Sequence, residues 1–181
     1  YNYKRSGRPG DMPHSSTVRH IDVPNRNLYP FGYGLSYTTF SYGEMQCPKQ
    51  FNADGTLQVS VDVTNTGGCD GEEIVQLYVA DKVASMVRPV KELKGFQKVF
   101  IPKGQTKRID FTLNVCDLGF WNNSMQYIVE PGSFEIMVGT NSEDLQKKEA
   151  FWNGEKWFDV FILICLLCKR LCQNTNAFLK I

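Results

Sequence analysis

The sequence lacks the features that would point to several large classes of protein. Its charge is nearly balanced, with 20 basic residues, 19 acidic residues and a formal net charge of +1. Such a balance provides no field to concentrate nucleic acid or an anionic membrane surface. The longest apolar run, residues 160–168, has nine residues, about half of what a membrane-spanning helix needs. We therefore expect neither a nucleic-acid partner nor a membrane partner.

Cysteine and histidine are too few and too scattered to predict a metal centre or a disulfide framework. Three of the six cysteines lie far apart and three crowd the end of the chain, in the order Cys47, Cys69, Cys116, Cys165, Cys168 and Cys172. The spacing of Cys165 and Cys168 suits a metal, but no second pair or nearby histidine completes the four ligands of structural zinc. The sequence predicts no metal site and no cofactor.

Residues 1–28 form a predicted connector. They are rich in Pro, Gly, Asn, Ser and Arg and show no apolar periodicity, which is typical of an extended interdomain linker. Their charges are not followed by an apolar stretch, so no signal peptide is predicted there. The chain opens without Met, and we expect it to be a piece of something longer. The compartment stays open, with a periplasmic or secreted parent as one option.

Strict alternation of apolar and polar residues is the clearest pattern that is present. It is typical of strands with one buried face, and the best examples are LQVSVDVTN at 57–65, IVQLYVAD at 74–81 and RIDFTLNV at 108–115. In VKELKGFQKVFIPKG the alternation breaks near Gly95, as a β-bulge would cause. With the aromatic-rich start and two short strands around the turn at 130–132, we count about seven strands, which predicts an all-β antiparallel sandwich of immunoglobulin-like type.

The end of the chain does not continue this pattern. Alternation fades after residue 141, and residues 146–181 are an unassigned, irregular tail. Because an exposed apolar run at a chain end is an aggregation hazard, the tail suggests a frameshifted or non-native segment.

At residues 28–40, LYPFGYGLSYTTF resembles the start of the last domain of glycoside hydrolase family 3 β-glucosidases. Three later stretches agree with that family in the same order. They are VTNTGGCDGEEIVQLYV at 63–79, RPVKELKGFQKVFIPKGQT at 88–106 and WNNSMQYIVEPGSFEIMVGTNSEDL at 121–145. The resemblance covers roughly residues 1–145 and is not seen in the tail.

This resemblance implies a fibronectin type III-like sandwich at residues 29–145, behind a barrel domain with an Asp nucleophile and an α/β domain that often provides the acid/base. Such enzymes remove terminal β-linked glucose with retention of configuration. None of the 19 acidic residues lies in a context that matches the nucleophile motif. We expect no catalytic residue here, an accessory and stabilising role, and the catalytic domains of the parent as the partner.

The aromatic cluster at the start of the sandwich has two interpretations. Its interleaved glycines let the backbone approach another surface closely, which favours docking between domains. The residues predicted to dock are Tyr29, Phe31, Tyr33, Tyr37 and Phe40. The rings would otherwise stack on sugars, as in a carbohydrate-binding module that tethers the enzyme to glucan. An adhesive fibronectin-like domain is a third option, because fold alone does not fix function.

The densest basic stretch of the chain lies between residues 91 and 108. Acidic residues are mixed into it, and the spacing suits outward strand faces and a turn. We interpret these lysines and Arg108 as solubilising charges at a sheet edge.

Overall fold

The computed structural model describes Lys4, residues 27–154 and the backbone of residues 156–158. The predicted connector, apart from Lys4 and its last two residues, lies outside the described residues. So does the chain from residue 159 onward, with the cysteines near its end.

Strands make up nearly all of the regular structure in the described part of the chain. Ten strands and one short 3-10 helix follow in the order β1 (Phe40–Tyr42), β2 (Thr56–Asn65), β3 (Gly71–Asp81), β4 (Glu92–Ile101), β5 (Thr106–Asn114), η1 (Val115–Leu118), β6 (Phe120–Trp121), β7 (Tyr127–Val129), β8 (Gly132–Gly139), β9 (Leu145–Trp152) and β10 (Lys156–Phe158).

The strands form two large antiparallel sheets and one small one. A three-stranded sheet has the order β1-β2-β5, and a four-stranded sheet has the order β4-β3-β8-β9. Buried side chains from both belong to one hydrophobic cluster, so the two sheets pack face to face as a sandwich. A small sheet, β10-β7-β6, completes the set. The predicted all-β antiparallel sandwich is confirmed, with its seven main strands in the two large sheets.

The alternating residues of the sequence form the core, as predicted. Leu57, Val59 and Val61 of β2 are buried and pair in register with Leu113, Phe111 and Ile109 of β5. The inward-facing residues of β3 oppose them from the other sheet. Burial of these side chains, at roughly 25 cal/mol per Å² of apolar surface, is the main driving force that holds the sheets together.

The predicted bulge in β4 is present. Leu77 of β3 pairs with Gly95, whereas the next residue, Tyr78, pairs with Leu93. Lys94 is therefore the extra residue. The shift reverses which side chains of β4 face inward on the two sides of the bulge.

β9 corrects the predicted end of the sandwich at residue 145. This strand pairs with β8 along its length, and its side chains Ala150 and Trp152 are buried. The Trp152 ring packs edge-on against Phe51, with centroids 6.0 Å apart. The run of polar residues at 146–149 hides the alternation of this strand, because Lys148 faces inward at the sandwich edge and pairs with Glu44.

Asn65, at the end of β2, is the best-connected polar side chain of the core. It is fully buried, and its Oδ1 accepts hydrogen bonds from Thr38 Oγ1 at 2.7 Å and from the Gly67 amide at 3.1 Å. Its Nδ2 donates to the carbonyls of Cys69 and Ile101, both at 2.9 Å. All of the hydrogen-bonding capacity of the amide is used, as a buried polar group requires.

Thr38 fits between two glycines of the turn that follows β2. A Cβ on Gly67 would lie 2.1 Å from Thr38 Oγ1 and 2.5 Å from the Thr39 amide nitrogen, and a Cβ on Gly71 would lie 2.5 Å from Thr38 Cγ2. The neighbouring Gly68 has open space around it. The NTGG turn is therefore shaped to receive Thr38.

We predict that Gly67→Ala lowers the free energy of unfolding by about 1–3 kcal/mol, because the added methyl overpacks the Thr38 site and backbone must move. Gly68→Ala is the matched control, and it should be neutral or slightly stabilising because its methyl meets nothing and the unfolded chain loses entropy. Urea unfolding followed by tryptophan fluorescence measures both. Equal midpoints for the two variants would contradict this account.

Candidate docking surface

The predicted docking residues divide into an exposed group and one residue of the sandwich. Tyr29, Phe31, Tyr33 and Tyr37 are exposed, and they lie in the segment that precedes β1. Phe40 lies in β1 and packs against the core instead. We call residues 28–37 the docking segment. Its two leucines, at positions 28 and 35, are also exposed, so the segment presents apolar side chains along its whole length.

A tight turn at residues 30–33 fixes the first half of the docking segment. The Tyr33 amide donates to the Pro30 carbonyl at 3.0 Å, and Gly32 has a φ of 82°, which suits glycine at the third position of a type II turn. The Phe31 carbonyl accepts a hydrogen bond of 2.8 Å from the Ser142 amide. The turn is thus tied to the connection between β8 and β9.

The side chain of Gln76 in β3 packs against this turn at Gly32. It is buried, donates through Nε2 to the Thr140 carbonyl at 2.7 Å, and accepts from the Tyr78 hydroxyl at 2.5 Å. A Cβ on Gly32 would lie 2.2 Å from Gln76 Nε2. The backbone at Gly32 therefore lies close to the outer face of β3 of the same sandwich, where a side chain would not fit.

The rings of Tyr29 and Tyr33 lie close together but are not coplanar. Their centroids are 5.4 Å apart, and their planes are inclined at 37°.

Three further apolar residues are exposed on the outer face of the four-stranded sheet, and none of them was predicted to dock. Ile74 of β3 and Phe96 and Phe100 of β4 point away from the core and are 45%, 65% and 49% exposed. We call these residues the sheet-face patch. Phe96 lies after the bulge and on the outer face of β4, opposite to the inward-facing Val99 and Ile101. The sequence contained a signal for this shared face, because residues 96, 98 and 100 alternate along a strand and must point to the same side of the sheet.

Two lysines of this region take part in ion pairs. Lys98 and Glu72 form an exposed pair across β3 and β4, whereas Lys94 and Glu92 form a partly buried pair. Exposed pairs such as that of Lys98 contribute little to stability. Each pair brings together one positive and one negative charge.

A half-buried carboxylate lies at the edge of the sandwich where the chain enters β1. The Tyr42 hydroxyl donates to Glu73 Oε1 at 2.8 Å. Burial raises the pKa of Glu73, and the hydrogen bond from Tyr42 opposes this rise only in part. Burial, followed by the nearby Glu73 charge, also raises the pKa of Tyr42. This tyrosine therefore stays a hydrogen-bond donor at neutral pH.

The described residues hold neither a cluster of metal-ligating side chains nor a helix suited to crossing a membrane. Some of their carboxylates form ion pairs, such as that of Glu92 with Arg88, whose guanidinium also lies over the Phe120 ring at 4.9 Å.

Comparison with known proteins gives a consistent picture. The model of the fibronectin type III-like domain matches residues 73–142. The periplasmic β-glucosidase of Salmonella typhimurium is 43% identical over 145 residues, which are 78% of this chain and 19% of that protein. A β-xylosidase of Formosa agariphila is 48% identical over 120 residues, which are 64% of this chain and 16% of that protein.

Solved structures agree with the sequence comparison. The β-glucosidase of Listeria innocua in complex with glucose superposes with a TM-score of 0.78 and 38% identity, over 85% of this chain and 22% of the other. This chain therefore spans about a fifth of the length of the relatives that it matches.

We predict that Glu73→Gln makes the protein more stable at pH 7 but leaves it close to wild type below the pKa of an unfolded carboxyl, ~4.3. With its pKa raised in the folded state, Glu73 causes a loss of stability as the pH rises from that value through the raised one. Gln keeps an acceptor for Tyr42 without the charge. Urea unfolding at both pH values measures the difference.

Glu72→Gln, at an exposed position of the same strand, is the control for this prediction, and it should change stability little at either pH. If Glu73→Gln is less stable than wild type at pH 7, the charged hydrogen bond to Tyr42 outweighs the cost of burying the carboxylate.

Proposed function

We propose that this chain, the fibronectin type III-like part of a family 3 glycoside hydrolase of the β-glucosidase type, is a non-catalytic accessory domain. Its role is to pack against the catalytic domains of its parent and to stabilise them. The parent would hydrolyse terminal β-D-glucosyl residues with retention, using two carboxyl groups ~5–5.5 Å apart outside this chain.

One observation carries the proposal. The docking segment is anchored to the sandwich at the Phe31 carbonyl, at Gly32 and at Thr38, yet its aromatic side chains face outward. Exposed apolar patches of this kind mark sites where another protein surface, a membrane or a ligand binds. The relatives are much longer chains in which the matched region is one part, so a partner within the same chain fits best.

A carbohydrate-binding module is the competing proposal, because it would also need exposed aromatics. The 37° inclination of Tyr29 to Tyr33 speaks against a stacking platform. Isothermal titration of the chain with cello-oligosaccharides and with insoluble glucan separates the two functions. An accessory domain gives no saturable heat, and the purified chain does not hydrolyse p-nitrophenyl β-glucoside.

The accessory role is tested in a chimera, in which this chain replaces the matching region of the Salmonella typhimurium β-glucosidase. We predict that Tyr29→Ser combined with Tyr33→Ser lowers the thermal unfolding temperature and the half-life of activity of the chimera. Truncation of aromatics at the centre of an interface typically costs about 2 kcal/mol or more each.

Met125→Ser combined with Phe151→Ser is the control in the same chimera, since both side chains are exposed and lie outside the docking segment. In the isolated chain, neither double variant should change the stability by much. A tyrosine variant of the chimera that is as stable and as active as the control would sink the proposal.

A further inference from the structure

We propose that the sheet-face patch of Ile74, Phe96 and Phe100 is the second half of the docking surface. Its occupant is an apolar, uncharged surface of the catalytic part of the same enzyme. This inference rests on the proposed function and extends it from the loop to the outer face of β3 and β4, at the edge of the four-stranded sheet opposite to β9.

The patch is unusual for the outer face of an antiparallel sheet, which is normally polar where it meets water. Phe96 and Phe100 are two positions to either side of Lys98 on the same face, and Ile74 pairs directly opposite Lys98 on β3. All three apolar side chains are exposed. They share one face of two neighbouring strands, around Lys98, whereas apolar residues scattered singly over the surface would need no explanation.

The patch is continuous with the docking segment. Phe96 lies directly opposite Gln76 in the register of β3 and β4, and Gln76 is the side chain on which Gly32 rests. At its other end the segment passes Cys69, whose thiol contacts the Tyr37 carbonyl at 3.4 Å. The segment therefore runs beside the outer face of β3. A partner that covers its rings also meets the patch.

The charged side chains next to the patch indicate which kind of surface could bind there. Lys98 and Glu72, the charged side chains among its register partners, pair with each other and so cancel. A polyanion or a strongly charged protein would find no complementary field here. An apolar surface with few charges, such as the core of an interface between domains, fits.

A second copy of this chain that extends the sheet through β4 fits less well. β4 is an edge strand of its sheet, so such a dimer would pair two β4 edges. The bulge at Lys94 and the lysine at position 98 interrupt that edge, and bulges and edge lysines are the devices by which proteins prevent edge pairing.

Hydroxyl-radical footprinting by mass spectrometry tests the inference on the full chain and on the Salmonella typhimurium chimera. We expect the oxidation rates of Phe96 and Phe100 to fall several-fold in the chimera relative to the isolated chain. Phe151 is the matched control, because it is 45% exposed against 49% for Phe100. Its oxidation rate should be the same in both proteins.

The docking segment provides an independent arm of the same measurement. Protection of Tyr29 and Tyr33 without protection of Phe96 and Phe100 would overturn the inference and leave the proposed function intact. If neither the tyrosines nor the phenylalanines are protected, both the inference and the proposed function are overturned. Protection of Phe96 and Phe100 that grows with concentration in the isolated chain would assign the patch to a second copy, and this too would overturn the inference.

A pair of substitutions adds a functional readout. In the chimera, Phe100→Ser should lower the thermal unfolding temperature more than Phe151→Ser, whereas the two variants of the isolated chain should unfold at similar temperatures. A loss of stability of the same size in the chain and in the chimera would show that Phe100 acts within the sandwich, and would overturn the inference.

Discussion

The side-chain amide of Asn65 is the interaction on which the arrangement of the chain depends. Asn65 belongs to the three-stranded sheet, Ile101 to the four-stranded sheet and Cys69 to the loop between β2 and β3, and one amide bonds to all three regions. Its oxygen also holds Thr38, which sets the point where the chain enters β1. Because these groups are buried, each would be costly to leave without a partner, so the amide defines a single geometry for this end of the sandwich.

The docking segment inherits its order from two attachments to the sandwich. Just after the segment Thr38 is held by Asn65, and within it Gly32 rests on Gln76 while the Phe31 carbonyl accepts from the Ser142 amide. The backbone between these two attachments has little freedom left to lose. Binding to a partner is then less opposed by conformational entropy than it would be for a free linker.

Alternation was enough to predict the central strands, because β2 and β5 each have one buried apolar face and one largely polar face, and β3 has an inward-facing set with period two. Alternation did not predict strand β9 or the outward direction of Phe96 in β4. In β9 a polar run at 146–149 concealed a strand whose end is in the core. In β4 the bulge at Lys94 shifted the register, so Phe96 could not be placed without knowing its partner strand. The aromatics of the docking segment were located by resemblance, but their outward direction depends on Gln76 and Ser142, which are distant in sequence.

The position of β9 has a consequence for how the domain folds during synthesis. The backbone of Phe151 bonds to the carbonyl of Lys49 and to the amide of Phe51, so β9 closes onto a segment that precedes β2. Such long-range pairing is slow to form, and the core around Phe51 stays open until Trp152 has left the ribosome. During that interval the buried edge of β8 is an unpaired strand, which is the stage at which chaperones or aggregation would compete for this domain.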